Sequence, residues 1–245
     1  MNWISRFTIS RKKIWLSLNS IETLLIFNNK YSKYKILVHI IIANIATDNQ
    51  IENLDEIKDA LSELSALACD CINENQKRKI ELIDEDTLEK QEFEISYISD
   101  KYSGAPLSIT GLLIALYRLS INDFLKRKLF KNDELMKSLR KLLFEGADIE
   151  KEHVLQLLSQ LCFDESIRND VSNDEELLKY VEGLLEKKEF TYKKLKNTSD
   201  CFLWIIDELN NDINDIKQMH PSQRHVMISY HEGKFMFRFF LIDNG

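Results

Sequence analysis

The feature that most constrains this chain is an internal repeat. At an offset of 42 with no gap, residues 116–143 lie on residues 158–185 and apolar meets apolar nine times. Leu116 falls on Leu158, Leu119 on Leu161, Ile121 on Phe163, Leu125 on Ile167 and Leu129 on Val171. Leu135 then falls on Leu177, Leu139 on Val181, Leu142 on Leu184 and Leu143 on Leu185, and polar Glu134 and Lys137 recur as Glu176 and Lys179. Chance does not readily give such register. Within each copy the apolar residues stand three and four apart, which places them on one stripe of a helix. Asn132-Asp133 and Asn173-Asp174 sit where a short side-chain oxygen can accept from the unpaired amides of a first helical turn. A helical unit of this length cannot bury its own stripe, so neighbouring units must stack and share a core.

Weaker copies flank the pair. Residues 38–45 match the helix ending at Leu119, and Ile57, Leu61 and Leu64 match Leu135, Leu139 and Leu142. Downstream, Phe202, Leu203, Ile205, Ile206 and Leu209 repeat Val154, Leu155, Leu157, Leu158 and Leu161 at an offset of 48, the extra residues falling near Phe190-Thr-Tyr. Two Pro and six Gly in 245 residues leave few turn-formers, which favours long helices over a sandwich or barrel. The expected class is all-α, with residues 1–31 an N-terminal helical segment and 32–218 about three to four stacked repeats exposing a concave face. Leu116, Leu119, Leu139, Leu158, Leu161 and Val181 are expected in the core. Residues 75–106 fit the period poorly and read as an irregular insertion. There Ile80, Leu82 and Ile83 suggest an extended piece, and Leu88, Phe93, Ile95, Tyr97 and Ile98 suggest one helix or two strands.

Charge and cysteine usage narrow the setting. Residues 1–40 hold seven Lys/Arg and one Glu, residues 41–100 five Lys/Arg and sixteen Asp/Glu, and the whole chain carries a net charge of −7. A general nucleic-acid binder should be basic, so no nucleic-acid partner is expected. No signal peptide is legible near Arg6, Arg11, Lys12 and Lys13. The longest apolar run, residues 36–43, is interrupted by His39 and is well short of the ~20 residues of a membrane span. Four cysteines, Cys69, Cys71, Cys162 and Cys201, are too few for a disulfide framework and fit reduced thiols in the cytosol.

The repeats resemble armadillo repeats. A long third helix, a short first helix and an amphipathic second helix match residues 108–120, 121–131 and 132–145, and the signature stretches are 116–122 and 158–164. The resemblance covers roughly residues 32–218, and the related HEAT repeats fit the same pattern. It implies an armadillo/HEAT-like α-solenoid with a short C-terminal β segment.

After Ile216 the helical period stops and His220-Pro221 breaks the chain. Arg224-His-Val-Met-Ile-Ser-Tyr230 reads as a buried strand and resembles the first strand of Toll/interleukin-1 receptor (TIR) domains, which follow armadillo repeats in one family of cytosolic NAD-cleaving and signalling proteins. The sequence then departs from that family. A βαβ unit needs ~30 residues, whereas 22 remain from Arg224. Residues 224–245 are therefore expected to be a truncated TIR-like first strand or a β-hairpin around Glu232-Gly233, in a truncated or altered gene product. The resemblance implies a non-catalytic interaction or regulatory module of cytosolic signalling, with protein partners on the concave face and a nucleotide as possible regulator. The alternative is part of a TIR-domain NAD+ nucleosidase whose catalytic portion lies outside this chain.

No residue pattern supports catalysis, a cofactor or a metal. Cys69 and Cys71, two apart on a helix, project to different sides and do not make a zinc site. His39 among Ile and Val reads as a buried core histidine, and His153 as solvent-facing. His220, His225 and His231 lack accompanying Cys or carboxylate ligands. Ser229 and Tyr230 have no G-x-S-x-G elbow. Asp84-Glu-Asp86 lacks the spacing and Gly of a calcium loop. No glycine-rich phosphate loop is present, and no position can receive the TIR glutamate.

Overall fold

The computed structural model describes Leu24 and residues 34–45, 57–74, 76–83, 90–101, 103–186 and 192–207. For residues 55–56, 227–231 and 234–238 it describes the backbone. Nine helices and five strands lie within them. They are α1 (Lys35–Ile45), α2 (Asp55–Glu74), β1 (Lys77–Ile83), β2 (Lys90–Ser99), β3 (Pro106–Ser108), α3 (Ile109–Leu119), α4 (Asp123–Phe130), α5 (Asp133–Glu145), α6 (Asp148–Leu161), α7 (Glu165–Ser172), α8 (Glu175–Leu185), α9 (Lys193–Asp207), β4 (Met227–His231) and β5 (Lys234–Arg238). No helix among the described residues is long and apolar enough to cross a membrane. The expected 1–31 segment falls almost wholly outside the described residues.

The 42-residue spacing is written into the helix starts. Asn122 caps α4 by accepting from the amides of Phe124 and Leu125, and Asp164, 42 residues on, caps α7 by accepting from Ser166 and Ile167. Asn132 caps α5 through the Leu135 amide and Asp174 caps α8 through Leu177. Each cap satisfies one or two of the orphan donors of a first turn. The equivalent positions Lys126 and Arg168 are both buried, with Lys126 Nζ donating to Asp123 Oδ1 at 2.8 Å and Arg168 Nη1 to the Cys162 carbonyl at 2.8 Å.

The chain divides into two compact units after Leu161. In the first, α2 packs against α1, α3, α4, α5 and β2, while α3 packs against α1, α2 and α6. Leu116, Leu119, Leu139, Leu158 and Leu161 are all buried, as are Ile57, Leu61 and Leu64 on α2. In the second, α9 packs on α7 and α8, and Val181, Phe202, Ile205 and Ile206 are buried.

The all-α expectation holds for most of the described residues but not for the insertion, which carries a small sheet. Strands β1 and β2 pair antiparallel with Ile80 opposite Phe93, and short β3 adds on the far side of β2, pairing Ile98 with Leu107. The alternation of Phe93, Ile95 and Tyr97 is the period of a strand, and residues 90–99 make one strand rather than two or a helix. Leu88 lies outside the described residues. Gly104, at φ +70°, donates its amide to the Asp100 carbonyl at 2.7 Å and turns the chain from β2 into β3. This left-handed backbone is one that glycine adopts without steric cost. In the C-terminal tail, β4 and β5 pair antiparallel, from Met227 opposite Arg238 to His231 opposite Lys234.

Candidate functional site

The acidic face of α2 is the starting point. Glu63, Ala66, Leu67, Asp70 and Glu74 follow helical spacing along one stripe and form a wall of a cleft of about 300 Å³ in the first unit. Ile36 of α1 and Ile98, Ser99, Asp100 and Lys101 from the end of β2 complete much of the lining. Asp100 is buried and organises its turn, accepting from the amide of Ser103 at 3.3 Å and from the Ser103 hydroxyl.

At one end of this cleft Lys35, His39 and Glu63 come together. Lys35 and His39 are four residues apart on α1, hence on one face, and both meet Glu63. Lys35 Nζ pairs with Glu63 Oε1, and His39 Nδ1 stands 3.3 Å from Oε2. His39 is buried, and that burial pulls its pKa below the usual histidine value against the attraction of Glu63. Its imidazole is uncharged at neutral pH. With a side chain 3% exposed, it has no open path to a substrate. The walls offer shape and negative charge for contact.

A second cluster is structural. Glu150 is 0% exposed and is the third residue of α6, where it accepts from the Ala147 amide at 2.8 Å, half of a capping box. It also accepts from the amide of Ser96 and from Lys77 Nζ at 3.3 Å, while Lys77 reaches Ser96 Oγ at 2.8 Å. Ser108 of β3 pairs with Tyr97, so β3 ends one residue short of covering Ser96. The Glu150 carboxylate takes the place of the missing strand residue and fastens α6 to the sheet. The helical N3 position of Glu150 was the sequence signal for this role; its pairing with β2 had none.

The thiols are unsuited to nucleophilic work. Burial raises the pKa of all four, with Cys71 and Cys162 pushed up to about 12, and a nucleophile needs the thiolate. Cys69 accepts from the Ser138 hydroxyl on α5, whereas Cys71 lies near Glu150 and Lys77. The two therefore meet different neighbours. His153 is half-buried rather than solvent-facing, its Nδ1 2.8 Å from the Ile149 carbonyl. Ser229, Tyr230 and His231 lie on β4, described by backbone alone, and Asp84-Glu-Asp86, His220 and His225 lie outside the described residues. Among the described residues no three metal-ligating side chains gather. No protein-family model, no curated protein and no solved structure matches this chain.

Proposed function

We propose that this chain is a non-catalytic helical-repeat module for protein interaction or regulation in cytosolic signalling, with partners held on a concave face of stacked repeats. The observation that carries the reading is the packing in the first unit. Helices made equivalent by the repeat lie on one another: α1 on α3, α3 on α6, and α2 on α5. Stacking of like on like is how a solenoid extends and how it builds a long rigid surface that needs no catalytic group.

The test uses the full chain as bait in cell extract beside a mock preparation, together with melting in the presence of nucleotides. Stable partners favour a scaffold, and a nucleotide-dependent rise in melting temperature favours a metabolite sensor. If neither is seen the proposal falls. The second reading, a portion of a TIR-type NAD+ nucleosidase, rests on the resemblance of Arg224 to Tyr230. It too predicts that activity needs further chain, so nicotinamide release by this purified protein, above a buffer blank and absent from a mock preparation, would overturn both readings.

A further inference from the structure

Among the described residues the outer edge of β1 is open. One side of the strand pairs with β2, and no described strand pairs with the other. Most of its residues are exposed, Ile83 at 54%. The Tyr97 amide donates to the Gln76 carbonyl at 3.0 Å. In an antiparallel ladder this alternates, so residues 78, 80 and 82 turn their N–H and C=O toward β2, and Lys77, Lys79, Glu81 and Ile83 turn theirs outward. A row of outward amides and carbonyls is a template for another strand.

The sequence of β1 says which strand. Two copies pairing antiparallel about a two-fold axis normal to the sheet keep side chains on matching faces, so the axis passes midway between the two copies of one central residue. Centred on Lys79, the pairing sets lysine against lysine; centred on Glu81, it sets glutamate against glutamate. Centred on Ile80, it brings all seven residues into register: Lys79 opposite Glu81 twice, Ile80 opposite Ile80, Arg78 opposite Leu82 and Lys77 opposite Ile83. Opposite charges directly across a ladder stabilise it and like charges oppose it. Exposed charges usually protect an edge from any second strand; the Lys79-centred register also sets Lys77 opposite Glu81, but it keeps its lysine pair and joins five residues, whereas the Ile80-centred register joins all seven with no like charges opposed. Glu81 also faces Glu92 on β2 and already pairs with Lys90 Nζ at 3.0 Å, and Lys79 of the second copy adds a cation on its other side.

We propose that β1 is a self-association edge, on which a second copy of this chain docks to form a closed two-fold dimer with a continuous six-stranded antiparallel sheet. Pairing of seven-residue strands falls at the small end of specific interfaces, below about 1,200 Å², so the dimer is reversible. Sedimentation equilibrium of the full chain over a hundredfold concentration range should show mass rising from 28.9 kDa toward twice that value. Lys79→Glu should remain monomeric to at least tenfold higher concentration than the parent. The double swap Lys79→Glu with Glu81→Lys should restore association, since both pairs re-form with their signs exchanged. Glu81→Pro, which removes an outward amide and leaves the β1–β2 bonds, should be monomeric. Circular dichroism identifies the variants that keep the parent fold. A parent monomeric throughout, growth beyond the dimer, a folded Lys79→Glu that associates like the parent, or a folded double swap that does not associate would each overturn the proposal.

Discussion

A carboxylate removed from water must be surrounded by donors, and Glu150 shows what happens when it is. Two backbone amides and an ammonium converge on it, so Glu150→Ala would orphan the amides of Ser96 and Ala147. Each buried donor left unmade costs about 1–3 kcal/mol, and urea unfolding should show a loss of that order or more. Gly146 precedes this network for a different reason. Its φ of −72° is ordinary, but a Cβ there would lie 2.5 Å from the Leu142 carbonyl oxygen and 2.9 Å from Glu150 Oε2. Gly146→Ala is therefore expected to destabilise by about 1–3 kcal/mol through overpacking, measured in the same unfolding experiment. His39 makes a pH prediction. Its folded pKa lies below the ordinary histidine value of 6.5, chiefly through burial, so the unfolded chain binds a proton first as pH falls. Its contribution is fully present above pH 6.5 and is lost as pH drops through the folded pKa. Melting temperature should fall on acidification below pH 6.5, with a shallower slope in His39→Gln.

At the scale of elements, the caps were legible because capping is local chemistry. A short oxygen two or three residues before a helical amide acts without help from the rest of the fold. Asn132→Ala and Asp174→Ala should each cost about 1 kcal/mol, and similar losses at the two sites would show the two copies as energetic equivalents. Leu158, buried on α6, should cost about 2–5 kcal/mol when cut to Ala; a Leu158→Ala protein as stable as its parent would remove it from the core. The repeat also contains a coincidence that packing does not use. Ile121 and Phe163 align at the offset of 42, yet Ile121 is 45% exposed, beside Phe124 at 59%. Both lie near the start of α4, whose core stripe begins at Leu125. Conversely, the basic residue shared by positions 126 and 168 is buried in both copies, a regularity that an apolar alignment passes over.

For the whole molecule, the 42-residue period settled the helical units, their starts and most of their core stripe before any tertiary contact was considered. Those properties depend on residues three to four apart. The cleft along α2 is different: its acidic stripe at 63, 70 and 74 can be read off the helix, but the opposite wall comes from Ile98 to Lys101, more than 20 residues away in sequence. Only the fold brings the two together. The insertion follows the same rule. Its alternating apolar residues allowed strands, but short runs with a period of two do not choose a partner, and the choice fell to the antiparallel ladder and to the packing of β2 on α2 and α3. The sequence by itself determined the repeating helices, because their periodicity and caps are short-range. The tertiary structure decided the sheet, the neutral state of His39 and the burial of Glu150, because each depends on groups that are distant along the chain.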